Sequence, residues 1–302
     1  MVRVLVALCL VSSIILGTAT ATAPAPEPTV SGTGPVSEAG PGDRVVNGPI
    51  AVIVPSPGHG VWGEALLSDG RMAALGVKTA SDGAVLVSSW GSADQIGLTA
   101  LPTSPPACQD DARSTLGFRW STTFTWFFNA RSTPAGLSRK SVEGALRNAT
   151  RNITHSANGC SLADEVGARA AYRGTRRRNV QIDTDGTCRA SGDGRNLTGF
   201  GQLPAGTLGV ACIWFRGDGT AIESDVRLNR SQSWVVNVTD SCVGRWSIEA
   251  VTTHERGHTF GLGHVDEVTH GNLTMSTQIN GPCQKSESRL GRGDVVALRE
   301  LY

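Results

Sequence analysis

The chain has 302 residues, 39% of them hydrophobic, and a formal net charge of +1 from 27 basic and 26 acidic side chains. That is apolar enough for a buried core, and the charge balance leaves out the strong basic field of a nucleic-acid-binding domain. No nucleic-acid partner is expected, and the one basic cluster, Arg176, Arg177 and Arg178, reads as a solvated loop.

Residues 1–21 read as a signal peptide. Arg3 supplies the positive start, residues 4–17 the short apolar stretch, and Ala19-Thr20-Ala21 the small-residue cleavage site. A secreted, extracellular protein is expected, with no stable membrane association, because no later segment is long and apolar enough to cross a bilayer. Residues 22–49 are rich in Pro, Gly, Thr and Ala and read as a linker. Residues 50–104 read as a small β-rich unit. Its β-prone runs are 50–54, 72–77 and 84–87, parted by turn signals at Asp69-Gly70 and Asp82-Gly83. The unit carries no catalytic constellation, and His59 reads as a surface histidine. An inhibitory pro-segment, a permanent module and a linker with a short β unit all fit it. The prolines between 102 and 106 mark the boundary of a second domain, residues 105–302.

Within that domain, residues 123–129 (T-F-T-W-F-F-N) predict a strand. Ser138 predicts a helix cap, followed by one apolar face of Val142, Ala145, Leu146, Ala149 and Ile153. Residues 179–183, 208–215 and 221–228 predict further strands, and residues 247–260 a helix. Asp294 predicts the N-cap of a last helix that ends at Leu301. Strands followed by helices indicate an α+β domain with a mixed sheet. Once Cys9 leaves with the signal, Cys108, Cys160, Cys188, Cys212, Cys242 and Cys283 remain. An even set in an exported chain predicts disulfides, although six cysteines allow about 15 pairings and sequence does not choose. With no C-x-x-C pair, a cysteine-based zinc site is not expected.

The chemistry concentrates in T-H-E-R-G-H-T-F-G-L-G-H, residues 253–264. Residues i and i+4 of a helix share a face, so His254 and His258 can reach one ion. Glu255, one residue round, stands beside that ion and can act as general base toward a water activated there. Gly261 lets the chain turn after the helix and return His264 as third ligand. Three imidazoles leave a fourth position open, the mark of a catalytic zinc rather than a closed structural one. His155 and His270 read as surface histidines.

The segment resembles the H-E-x-x-H-x-x-G-x-x-H signature of the metzincin zinc peptidases. Met275, in Thr274-Met275-Ser276, corresponds to the methionine turn of that clan. Within it the chain is most similar to matrixins of the secreted bacterial type. The similarity lies in residues 208–215, Gly217-Asp218-Gly219, residues 222–225 and Trp234, and in the closing residues 290–302. The resemblance implies an α+β fold: a metzincin-like catalytic domain with a mixed, mostly parallel, twisted sheet, a long active-site helix and a C-terminal helix, preceded by the small β-rich unit. It also implies a zinc endopeptidase, acting as a monomer on polypeptides that pair with an edge strand containing Leu208, Gly209, Val210 and Ala211. One catalytic Zn2+ is expected rather than two, because no histidine lies between His155 and His254 and Val210 stands where relatives carry one. Asp183, Asp185, Asp218 and Asp225 leave Ca2+ open without supporting it. The cysteine-switch motif is absent, and Cys108 is expected in a disulfide. A bridge between Cys242 and Cys283 would clamp the pocket floor. The alternative reading is a zinc-containing binding or adhesion module with little turnover, against which the intact Glu255 argues.

Overall fold

The computed structural model describes residues 39–91 and 104–302, and the backbone of 33–35. The expected signal peptide, residues 1–21, lies outside the described residues, as do 22–32 and 36–38 of the expected linker.

The strands in chain order are β1 (Thr33–Pro35), β2 (Arg44–Asn47), β3 (Ile50–Ile53), β4 (His59–Leu67), β5 (Met72–Thr79), β6 (Val85–Gly91) and β7 (Phe124–Phe128). Helix α1 (Arg139–Thr154) follows, then β8 (Ala170–Thr175), β9 (Thr187–Cys188), β10 (Asn196–Gly201), β11 (Thr207–Arg216), β12 (Ala221–Asn229), β13 (Trp234–Val235) and β14 (Trp246–Ser247). The chain closes with α2 (Ile248–Thr259), the short α3 (Glu267–His270) and α4 (Arg292–Leu301).

One nine-stranded sheet runs β1-β6-β5-β4-β11-β12-β10-β7-β8. Its β12-β10-β7-β8 part is parallel, and β11 is antiparallel to β12, so the expected mostly parallel sheet holds for that half. The whole sheet is not mostly parallel, because the β-rich N-terminal unit is not a separate sheet. Strand β4 pairs antiparallel with β11 from end to end, and β5 and β6 extend the meander. The expected linker, residues 22–49, also ends earlier than its composition suggested. Residues 44–47 form β2, which pairs with β3, and β3 pairs in parallel with β9.

Local sequence explains the helices. The Ser138 hydroxyl accepts the Ser141 N–H, and Val142, Ala145, Leu146, Ala149 and Ile153 are all buried along one face of α1. The Ser247 hydroxyl caps α2 through the Ala250 N–H. Asn152 of α1 reaches Thr253 of α2 at 3.2 Å, tying the two helices together on one face of the sheet. Residues 179–183 do not form the expected strand. They make one isolated bridge, Ile182 to Cys188, and the Gln181 N–H is taken by the carboxylate of Asp225 instead. Asp294 is not the cap of the last helix. Gly291 holds that position, and Asp294 sits one turn in, accepting the Gly291 N–H at 2.8 Å.

All six cysteines pair: Cys108–Cys160, Cys188–Cys212 and Cys242–Cys283. The last is the bridge expected from its bracketing position. Among the described residues no helix is long and apolar enough to cross a membrane.

Candidate metal centre

Helix α2 buries His254, Glu255 and His258 completely, against the face of β11. After Thr259 the chain turns at Gly261, whose φ is +87° and whose missing Cβ would fall 2.2 Å from the Phe118 carbonyl oxygen. Only glycine fits both constraints. The turn delivers His264, which is also buried. The segment then runs back beneath the helix. Val265 donates its N–H to the Met275 carbonyl at 2.9 Å, and the Met275 sulfur occupies the space that a side chain on Gly257 would need. Met275 is a buried floor to the site.

The three imidazoles converge through their Nε2 atoms. His254 and His258 stand 3.2 Å apart at Nε2, as do His254 and His264. On the outer side, His254 Nδ1 lies 2.9 Å from the Thr274 carbonyl and His258 Nδ1 lies 2.9 Å from the Leu262 carbonyl. A carbonyl can only accept, so in both rings Nδ1 carries a proton, which in the neutral ring leaves the lone pair on Nε2. Two lone pairs at 3.2 Å repel unless a cation lies between them. Burial pushes the His264 pKa down to about 4, which favours its neutral form. Neutral imidazoles with outward N–H groups bound to carbonyls are the donor set that zinc takes.

A fourth group, one the sequence reading missed, completes the cluster. Glu64 of β4 is fully buried and lies 2.6 Å from His258 Nε2, 3.3 Å from His264 Nε2 and 3.6 Å from His254 Nε2. Apart from these three Nε2 atoms, neither of its oxygens has a partner. Among the described residues, Glu64, His254, His258 and His264 are the group that could hold a metal ion. The signal in the sequence was a single acid inside an apolar run, H-G-V-W-G-E-A-L-L.

Glu255 is fully buried with no hydrogen-bond partner for either oxygen. Burial pushes its carboxyl well above the usual range, and the charge of Glu64 adds to the rise. One of its oxygens lies where a side chain on Gly209 would begin, so the missing Cβ makes room for it.

Leu208, Gly209, Val210 and Ala211 all lie in β11, beside the site. In this structure they are not on a free edge: β12 covers one side and β4 the other. The four candidate calcium aspartates do not converge. Asp183 pairs with Arg189, Asp185 with Arg44, Asp218 accepts the Thr220 N–H, and Asp225 accepts the Gln181 and Leu197 N–H groups. His270 is half-buried against Asp110 at 3.0 Å, and the His155 side chain is exposed at the end of α1.

The family model described as Matrixin, for peptidases of class M10, matches residues 119–302. No curated protein matches the chain.

Proposed function

The chain belongs to the matrixin family, and from that premise we propose that it is a secreted zinc endopeptidase with Glu255 as general base. The observation that carries the reading is the convergence of two imidazole lone pairs at 3.2 Å, each fixed by a carbonyl on its outer nitrogen. A divalent cation among the Nε2 atoms would stabilise such a set. His254, His258 and His264 would hold the zinc. When bound, zinc supplies Lewis acidity to a peptide carbonyl and lowers the pKa of water to about 7.

The rest of the chemistry belongs to the chain. Glu255 stands one residue from His254, with both oxygens free of donors. A carboxylate whose pKa is raised by burial is a stronger base than one in water. Glu255 can take a proton from the attacking water, hold it on a carboxyl oxygen and hand it to the leaving amine nitrogen. Gly261 sets the return of His264, and Met275 supports the helix from below. Residues 208–211 of β11 would hold the substrate main chain by strand addition, a sequence-tolerant way to present a peptide bond.

The test uses secreted material whose N-terminus has been read by sequencing. It should contain one zinc, lose it in His258→Ala, and hydrolyse casein until a chelator is added. Glu255→Ala should keep the zinc while kcat falls by roughly 10²–10⁴. Equal rates for wild type and Glu255→Ala would refute the assignment.

A further inference from the structure

We propose that β4 is an inhibitory strand: Glu64 takes the fourth ligand position of the metal, while residues 59–67 take the place of substrate along β11. This rests on the zinc-peptidase reading and adds a regulatory mechanism to it.

Register places the carboxylate. Side chains alternate along a strand, so Trp62, Glu64 and Leu66 share the face toward α2. The Trp62 ring lies 4.7 Å from the His258 ring, and Leu66 is fully buried in the core that includes Val251 and Met275. On the opposite face, a side chain at Gly63 would strike Cys188 Sγ, so the strand cannot slip by one residue without a clash. Glu64 is thus held against the histidines from both sides. A fully buried carboxylate that meets only three imidazole Nε2 atoms is strongly disfavoured unless a cation lies among them. Three converging Nε2 atoms and this carboxylate would give a divalent metal four protein ligands and no open position.

The backbone completes the block. Ala65 pairs with Val210 and Glu64 with Ala211, within a register that runs from Leu67 opposite Thr207 to His59 opposite Arg216. The other side of β4 is taken by β5, with Glu64 opposite Ala74. Strand β4 therefore fills the edge a peptide would add to, and it presents a side-chain carboxylate to the metal.

The attachment is also removable. Residues 39–91 are held by strand pairing, by a shared apolar core, by Ser68 N–H to Gly206 O at 2.7 Å, by Gly217 N–H to Gly58 O at 2.8 Å, and by the Arg44–Asp185 ion pair, all of them noncovalent. No disulfide ties them to the rest: the three bridges all lie between Cys108 and Cys283. A cut after Gly91 would leave this unit free to dissociate. Of the three roles the sequence allowed for the β-rich unit, the geometry favours the pro-segment.

The full-length chain with cobalt(II) in place of zinc gives the test. In wild type, the visible absorption of the cobalt should be unchanged by azide, because no ligand position is free. Glu64→Ala and the isosteric Glu64→Gln should each alter the spectrum and make it respond to azide. Each should also weaken zinc binding by at least the roughly 10–100-fold that accompanies loss of a partner that merely orients a ligand. Thermal melting confirms that each variant is folded. Should neither fold, X-ray absorption at the zinc edge of the wild-type chain decides: three nitrogens and a carboxylate support the proposal, and three nitrogens with an exchangeable oxygen overturn it. Wild-type spectra and azide response in both variants would also overturn it. Secreted material that cleaves casein at full rate with residues 39–91 attached would do the same. Failure to bind cobalt at one per chain, or unchanged binding in His258→Ala, would instead refute the zinc reading itself.

Discussion

Asp294 of α4 offers the sharpest link between burial and pH. Its carboxyl is 2% exposed and accepts three backbone N–H groups: Gly291 at 2.8 Å, Thr274 at 3.0 Å and Met275 at 3.3 Å. Two of these lie in the methionine turn, and the Thr274 carbonyl in turn orients His254. Burial pushes the pKa of Asp294 from 3.8 up to about 6, against the opposing pull of the three N–H groups and of His254. A carboxyl with a raised folded pKa binds its proton more tightly folded than unfolded. Its ionisation therefore costs stability as pH rises from about 4 to about 6, and below about 4 the cost is absent. A shift of about two units corresponds to about 3 kcal/mol. Asparagine keeps an acceptor oxygen and cannot ionise. The stability of wild type minus that of Asp294→Asn should fall by about 3 kcal/mol between pH 4 and pH 7, read from urea unfolding at fixed salt. Taking the difference removes the titration of groups that do not act on Asp294, while His254, which pulls its pKa down, stays in it. A difference that does not change across that range would refute the burial argument. Asp294→Ala should lower stability at every pH, because it strands three buried N–H groups at about 1–3 kcal/mol each.

Two further substitutions test the frame of the site. Gly261→Ala combines a left-handed backbone, worth roughly 1–2 kcal/mol, with a methyl group placed on a carbonyl oxygen that cannot move away. A loss of at least about 2 kcal/mol is expected, with weaker zinc binding because the turn aims His264; unchanged zinc affinity would show that the turn does not set the ligand. Replacing Cys242 and Cys283 by serine opens a 41-residue loop and should cost about 4 kcal/mol by chain entropy. A loss below about 1 kcal/mol in urea unfolding would refute that account.

Much of the site was legible because its signals are local. His254, Glu255 and His258 lie within one helical turn, Ser247 caps their helix, and Gly261 and His264 follow at short range. Strand β11 is a long apolar run, and β12, which follows it in sequence, also lies beside it in the sheet. What escaped depends on distant partners. Strand β10, N-L-T-G-F-G, has weak β propensity and persists because β7 and β12 flank it and Asn196 bonds the Thr125 carbonyl. Residues 179–183 alternate like a strand, but an aspartate side chain takes a bond that a neighbouring strand would have made. Glu64 lies far from the histidines in sequence, and a lone acid in an apolar run names no partner until the sheet has formed.

If activation removes residues 39–91, the same sheet implies a cost that a second disulfide can offset. One face of β11 packs into a core shared between the two parts of the chain. Ile50, Val52, Val54, Val61, Ala65 and Leu75 come from the N-terminal unit, and Val180, Ile182, Leu197, Val210, Cys212 and Trp214 from the rest. Each large apolar side chain in such a core contributes about 1.5–3 kcal/mol of burial, so removing residues 39–91 strips a term comparable with the whole stability of a domain, about 5–15 kcal/mol. The Cys188–Cys212 bridge lies within this cluster and joins β9 to β11. In the full-length chain those strands are also held together through β3, β4 and their shared core. Once the unit has gone, the bridge remains between them, together with the bond from Trp214 Nε1–H to the Arg189 carbonyl at 2.9 Å. Loop entropy alone, for a 24-residue separation, gives the bridge about 3.5 kcal/mol in either form. If it also stands in for the lost core, replacing both cysteines by serine should cost clearly more than that in the processed protein than in the full-length chain. Chemical unfolding of the two forms, with and without the bridge, makes the comparison. Equal losses would mean that the exposed face is held by something other than this disulfide.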